Sequence, residues 1–187
     1  MSNGSIIGIV NSDDYWESNT LQVVLNEYQA VHNPDNSIYC GWIRFHYNDG
    51  TSQVLKTDFH AFESWARFFE VAGVRHPAVF VPKKVYEENG VFDENLRVMS
   101  DSDLLLRFYF AHVDFRFIDM ILSNMSDGGV SNMAWKTIFE DYKKLLAKYK
   151  LKKVRYFILL LRWKSREYLK YLMPNSLLRF YRKYSKA

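Results

Sequence analysis

The apolar run Ile6-Ile7-Gly8-Ile9-Val10 passes directly into Asn11-Ser12-Asp13-Asp14-Tyr15, and no other stretch limits the fold as tightly. Five largely β-branched positions read as a buried strand. A strand that ends in adjacent carboxylates places negative charge at the carboxyl edge of a sheet, where open α/β folds hold their ligands. Asp13 and Asp14 at such an edge can hold Mg²⁺ or Mn²⁺, hard cations that take oxygen ligands and share them with substrate phosphates. A polar turn is the competing reading, because Asn, Ser and Asp all form turns readily. On these residues alone both stand.

A second acidic cluster, Ser100-Asp101-Ser102-Asp103-Leu104-Leu105-Leu106-Arg107, opens a segment with helical character. Ser100 and Asp103 have capping-box spacing, and acidic residues suit a helix's first turn. Asp103 and Arg107, four apart, can pair on one face. These features make Asp103 mostly structural. Asp101 differs, since a first-turn position can face a cleft and take a proton from a substrate hydroxyl within hydrogen-bond reach. The five histidines are dispersed, and none is paired at the spacing of a zinc helix. His76, just before Pro77 and an apolar strand, is the only one expected at the entrance to a site. His32, His46, His60 and His112 read as ordinary surface or core residues.

Charge is strongly polarised along the chain. From Lys136 onward there are 16 Lys and Arg against Glu140, Asp141 and Glu167, whereas the first 135 residues hold 9 basic and 18 acidic ones. An acidic body with a basic tail suggests cation-assisted chemistry in front and attraction to a polyanion behind. In the tail, Arg155, Arg162, Arg166 and Lys170 fall within a sector of about 80° on a helical wheel. Val154, Phe157, Ile158, Leu161, Tyr168, Leu169 and Leu172 gather on another side. Such a helix suits anionic lipid headgroups, although a docked helix with a solvated face has the same pattern. No nucleic-acid motif accompanies the basic residues, so no nucleic-acid partner is expected.

Length and composition fit one folded domain: 187 residues, 48% hydrophobic and 17% aromatic. Cys40 is the only cysteine, which excludes an internal disulfide and fits a reducing compartment. The longest strictly apolar run, residues 156–161, is far short of the ~20 residues of a spanning helix, and the short uncharged start is no signal peptide. The protein is therefore expected in the cytoplasm, peripheral on the inner face of the cell membrane.

Periodicity predicts a strand over 6–10, a helix from Ser18-Asn19-Thr20 to residue 30, and a turn at 33–36. A hairpin follows, with strands over 38–47 and 53–56 around Asn48-Asp49-Gly50. Next come a helix over 62–72, a strand over 78–81, a helix over 83–89 stopped by Gly90, and a helix over 100–112. One or two strands over 115–122 precede a turn at Asp127-Gly128-Gly129 and long helices over 133–149 and 151–172. Pro174 breaks these, and Ser176 caps a last basic helix. The expected class is α/β.

Taken in order, Asn11-Ser12-Asp13-Asp14-Tyr15, His76-Pro77-Ala78-Val79-Phe80-Val81, Gly90-Val91-Phe92-Asp93-Glu94-Asn95-Leu96, the Ser100–Arg107 cluster and Gly128-Gly129-Val130-Ser131 resemble the family 2 glycosyltransferases. The pattern is most like that of bacterial enzymes of capsule, exopolysaccharide and lipopolysaccharide synthesis. The resemblance implies a mixed sheet with flanking helices, the GT-A nucleotide-diphospho-sugar transferase fold, over residues 1–132, with a basic helical tail over 133–187. It implies inverting transfer of one sugar from a nucleotide-diphosphate sugar to a glycan or lipid-linked acceptor. By that analogy Asp13 and Asp14 bind Mn²⁺ or Mg²⁺ and the nucleotide, and the metal neutralises the departing diphosphate. Asp101 matches the general base and His76 a position lining the site. Asp103 and Arg107 join Asp13 and His76 as substrate-binding candidates. The family's Glu-Asp pair is Ser100-Asp101 here, which alters the electrostatic setting of the aspartate.

In the family roughly two βαβ units, about 60 to 100 residues, precede the metal motif. The chain is accordingly expected to be the carboxyl-terminal part of an enzyme, with an open sheet edge that favours self-association. The alternative is a catalytically inactive remnant whose tail, residues 151–187, still binds an anionic membrane surface or a partner. A metal-dependent phosphoester hydrolase fits less well, because it lacks the further carboxylate and histidine ligands of a two-metal site.

Overall fold

A ten-residue strand, Ser37–His46, organises a mixed α/β fold. In the computed structural model the described residues are 3–57, 60, 74–126, 135–149, 161, 164, 165 and 172. Their order is β1 (Ile6–Gly8), β2 (Tyr15–Trp16), α1 (Thr20–Ala30), β3 (Ser37–His46), β4 (Ser52–Leu55), β5 (Val79–Pro82), α2 (Lys83–Asn89), α3 (Ser100–Phe110), β6 (Asp114–Ser126) and α4 (Trp135–Lys148). The chain divides into two compact units, Met1–Tyr142 and Lys143–Ala187. The sheet and every candidate site residue named above lie in the first. The helices expected over 62–72 and 151–172, the turn at 127–129 and the last basic helix lie outside the described residues, apart from isolated positions.

The strand order is β1-β5-β3-β6-β2, with β4 paired to β3 off this path. β3 and β6 run parallel, while β1–β5, β5–β3, β3–β4 and β6–β2 are antiparallel. Following these senses outward, β1, β3 and β6 all point the same way. β1 ends and β5 begins level with Tyr39 and Cys40 of β3, whereas β2 lies level with Ile43 and Arg44, nearer the exits of β3 and β6. Along β3 the first five residues are all buried and, of the rest, only Ile43 is, so its first half is covered on both faces. Tyr39, Ile43, Ala78, Phe80, Ile118 and Leu122 form a core with Val24 of α1 and Leu55 of β4. Ile38 and Cys40, on the other face by the strand's alternation, are buried too, and burial pushes the Cys40 thiol well above its ordinary range.

Two glycines are required by close approach. Gly41 sits where the β3–β6 register slips, and a Cβ there would overlap the Leu122 side chain. A Cβ on Gly8 would stand 2.7 Å from the Phe80 ring and 2.8 Å from the Trp16 indole. The run after residue 6 differs from the expected buried strand. Only Ile6–Gly8 is extended and paired, it is half-buried, and Ile9 and Val10 are exposed. The physical reason is its place: among the described residues β1 pairs with β5 alone, at the end of the sheet.

The helix ends are also informative. α3 leaves through a left-handed residue, His112 at φ 58°. The Val113 N–H bonds the Phe108 carbonyl and the His112 N–H bonds the Tyr109 carbonyl, the double closure of a Schellman motif. Only three residues then separate α3 from β6, and the first turn, at the N-terminus of α3, lies within electrostatic reach of His76, just before β5. At that N-terminus the expected capping box is not formed. Met99 holds the cap position without a side-chain bond, and Ser100 is already the first helical residue.

Candidate functional site

Asp13 and Asp14 occupy a tight turn, closed by the Asp14 N–H on the Asn11 carbonyl at 3.1 Å. Asp13 is exposed and Asp14 half-buried. The turn delivers the chain into β2, which pairs with the end of β6: Tyr15 opposite Asn124 and Trp16 opposite Ser123. One Asp14 oxygen accepts the Ser126 N–H at 3.2 Å, and the other accepts the Asn11 amide at 3.2 Å. Ser126 is in turn the register partner of His46, the last residue of β3. The acidic turn is thus fastened to the carboxyl ends of the only parallel strand pair among the described residues. Burial raises the Asp14 carboxyl above the usual carboxylate range; the Ser126 and Asn11 bonds oppose the rise, and the Asp13 charge adds to it.

Among the described residues no group of three His, Cys, Asp or Glu side chains gathers as a metal cage. The residues present nevertheless fit a hard cation that keeps several waters and takes its other ligands from a diphosphate. Two adjacent carboxylates, one of them raised by burial, would be relieved by a cation bound at the turn.

His76 lies in a 3₁₀ turn, His76–Ala78, that feeds β5. Its ring meets Phe92 edge-on at 5.2 Å, and Phe92 lies 6.5 Å from the Tyr86 ring of α2. Asp101 lies in the first turn of α3, close enough to His76 and Tyr86 for its charge to act on both. Asp101 keeps solvent access, yet burial raises its carboxyl above the ordinary range, against the opposing influence of His76. Asp101 is thus exposed as a residue while its carboxylate is partly desolvated, and with His76 and Tyr86 it makes up the Asp101 recess. Burial lowers His76 below its usual range while the Asp101 charge raises it. Burial, with Asp101 adding, raises the Tyr86 hydroxyl to about 12, so it stays a neutral donor.

Trp16 joins the two halves of the edge. Its indole Nε1 donates to the Pro77 carbonyl at 2.8 Å, and its ring packs 5.1 Å from Phe80. Two residues after Asp14, it therefore ties the acidic turn to the His76 turn through a bond spanning 61 positions in sequence. The absent side chain of Gly8 makes room for that indole.

Asp103 and Arg107 have different surroundings. Asp103 is fully buried, and its carboxylate accepts the Arg107 Nε at 2.9 Å. The same guanidinium donates to the carbonyl of Asn89 at 2.6 Å and to that of Val91. The pair fastens α3 to the end of α2, where Gly90 turns the chain at φ 81°, and so steadies the loop that presents Phe92 to His76. The structure sets Asp101 within electrostatic reach of His76, ties the Asp13–Asp14 turn to the His76 turn through Trp16, and engages Asp103 and Arg107 with one another.

Sequence reasoning missed Trp16, Phe92, Tyr86 and Asp141. Asp141 of α4 is 1% exposed, and its Oδ2 accepts the N–H of Val98 at 2.7 Å and of Met99 at 3.4 Å. Its signal was an acidic residue inside an otherwise basic, amphipathic segment. His46, read as ordinary, meets the Asn124 side chain at 3.0 Å, and Asn124 donates to Glu17, which also pairs with Arg44 at 3.1 Å. That polar chain braces the strand ends under the acidic turn.

Neither a protein family nor a curated protein matches the chain. Among solved structures it is similar to the crystal structure of TarS from S. aureus, a glycosyltransferase, at a TM-score of 0.49 and 12% identity. The match covers 89% of this chain and 29% of that one, so the chain spans under a third of the structure it resembles. The described residues themselves form a mixed sheet with flanking helices, the α/β class expected from the sequence.

Proposed function

We propose that this chain carries the metal and acceptor face of a nucleotide-sugar-dependent glycosyltransferase. The observation that carries the reading is the tie through Trp16. It ties a paired-carboxylate turn to the turn of His76, and within electrostatic reach of that histidine stands Asp101, solvent-reachable yet partly desolvated. Asp101 takes the proton of an acceptor hydroxyl as its oxygen bonds to the anomeric carbon, and the bond from that carbon to the diphosphate breaks. The sugar is inverted, because attack comes from the face opposite the leaving group. Asp13 and Asp14 bind the diphosphate end of the donor through Mn²⁺ or Mg²⁺, which when bound supplies positive charge to the leaving group. His76 and the Phe92 ring wall the acceptor side. Asp103 and Arg107, also candidates for contact with substrate, serve this reading chiefly by holding the Phe92 loop.

The acceptor is a glycan or a lipid-linked glycan of cell-surface polysaccharide synthesis, and the basic residues 151–187 hold the protein to an anionic membrane. That segment lies outside the described residues except at isolated positions. Among the described residues, no helix is long and apolar enough to cross a membrane.

Calorimetric titration with a nucleoside diphosphate such as UDP tests the metal half of the proposal. Binding is expected only with Mn²⁺ or Mg²⁺ present, and Asp14→Ala is expected to abolish it with the circular dichroism spectrum unchanged. Metal-independent binding, or equal binding by the variant, removes the acidic turn from the mechanism. Vesicles test the tail: each Lys or Arg near an anionic surface is worth about 1 kcal/mol before screening, so attachment should weaken steeply with salt. Equal attachment to neutral vesicles overturns that part.

A further inference from the structure

The start of α3 has no side-chain cap of its own, and the residue that serves it comes from far along the chain. Asp141 lies in α4, 43 positions after Val98, with its carboxylate buried at 1% exposure. A carboxylate withdrawn from water is costly unless hydrogen bonds replace its hydration. Here one oxygen receives the N–H groups of Val98 and Met99, at 2.7 and 3.4 Å. Those amides stand immediately before the first helical residue, Ser100, where the positive end of the helix dipole favours an anion. Charge-assisted bonds of this type are roughly twice as strong as neutral ones.

We infer that Asp141 is a positioning residue for Asp101: its carboxylate fixes the 98–99 backbone from which α3 springs, and so sets where Asp101 stands against His76. This rests on the glycosyltransferase reading for its catalytic meaning, although the geometric claim stands independently. Two anchors then define the recess. The Asp103–Arg107 pair fixes α3 to the Phe92 loop from within the first sheet-bearing segment. Asp141 fixes the helix start from α4. Neither touches the reacting atoms, and Asp101 borrows its position from both. A polar carboxylate in the apolar face of an amphipathic helix costs stability there, so a packing role alone would be better filled by a leucine.

The test reads the pairing of Asp101 with His76 in the full chain by NMR titration of the His76 ring. In the wild type, Asp101→Asn removes the anion that favours the protonated ring, so the His76 midpoint should move to lower pH. In an Asp141→Leu background, which keeps bulk but has no acceptor, that displacement should shrink or vanish. In an Asp141→Asn background the amide oxygen still accepts from Val98, and the displacement should persist. An undiminished displacement in the folded Asp141→Leu background overturns the inference. Should Asp141→Leu fail to fold, hydrogen exchange in the wild type decides: the Val98 and Met99 amides must exchange slowly, and exchange at the unprotected rate overturns it. None of these readouts needs sugar transfer, so the inference can survive a chain that transfers nothing. Where transfer is measurable, Asp141→Leu should lower kcat by about 10²-fold, the effect of a misplacement near 1 Å. Asp141→Asn should recover most of that loss with donor KM unchanged.

Discussion

The acidic turn and the surroundings of Asp101 are linked through Trp16 and the His76 turn but are built in opposite ways. Asp13 is exposed and Asp14 is held by one backbone amide and one neighbouring side chain. Asp101 stands on a helix whose start is bonded by buried Asp141 and whose flank is pinned by buried Asp103 through Arg107. The difference matches what the proposed function asks of each carboxylate. A ligand for a cation that itself binds a diphosphate must adjust to its guest, and the electrostatic gain on binding organises it. A proton acceptor must stand within hydrogen-bond reach of one hydroxyl before the reaction begins, so its position has to be prepared by groups that take no part in the chemistry.

The sharpest way to break this contrast is Asp101→Asn. It keeps shape and removes basicity, so steady-state transfer should fall roughly 10²–10⁴-fold, the usual range for a general base. UDP binding with Mn²⁺ should remain near wild type, because the loss falls on the prepared side of the edge only. A variant that transfers normally, or one that loses nucleotide binding as well, would show that the two carboxylate sites are not separate devices.

The next effect falls on stability. Arg107→Met leaves the Asp103 carboxylate buried without its guanidinium and frees the carbonyls of Asn89 and Val91. Removing one partner of a buried ion pair costs about 3 kcal/mol or more, which urea unfolding should register as a lower midpoint. Asp103→Asn should cost less, since an amide oxygen still accepts from Arg107. If Arg107→Met left stability intact while abolishing binding of an acceptor or donor, the pair would belong to substrate recognition.

Much of the framework was legible beforehand, for identifiable reasons. Gly90 stops α2 because it takes φ 81°, and Asn48-Asp49-Gly50 joins β3 to β4 as hairpin chemistry predicts. The acidic turn could be found because its turn residues and carboxylates are contiguous, although the strand before it stops at Gly8 and does not run into them. Three features were hidden by distance along the chain. The two-residue strand β2 is too short to show periodicity, and exists because it pairs with Asn124 and Ser123 over a hundred positions away. The capping box at Ser100 lost to a remote carboxylate at Asp141. The extension of β6 to Ser126, beyond the expected end near residue 122, follows from its parallel register with all of β3. Local spacing carries information about what a segment can do alone, and each of these outcomes was settled by a partner outside the segment.

Trp16→Phe tests whether the two halves of the edge communicate. It keeps an aromatic ring against Phe80 and Gly8 but deletes the bond to the Pro77 carbonyl. Stability should fall by about 1 kcal/mol, the net worth of one hydrogen bond. Hydrogen exchange should quicken at the Ala78 amide, which closes the turn onto the Arg75 carbonyl, while the α3 amides stay protected. Loss of protection throughout α3 would mean that the acidic turn and the recess fold as one unit.

The smallest expected effect is a displacement in pH, and its sign follows from the recess. Burial raises the Asp101 carboxyl above the ordinary aspartate range, and a protonated His76 opposes that rise. Asp101 serves as a base only when ionised, so transfer should fall on the acid side with a midpoint above that of an ordinary aspartate. His76→Gln removes the cation that helps Asp101 ionise at acid pH, and the midpoint of the acid limb should move further up. Stability follows each group separately. Burial lowers His76, so its neutral form favours the folded state above the histidine's unfolded value near 6.5, and that contribution is lost as pH falls. Asp101 acts in the reverse sense: its raised folded value favours the native state at low pH, and the benefit disappears as pH rises through that value. Acid unfolding of the wild type should therefore begin with the charging of His76, and His76→Gln should flatten the fall in stability below pH 6.5. An acid limb that His76→Gln leaves in place, in both rate and stability, would separate the histidine from the carboxylate that faces it.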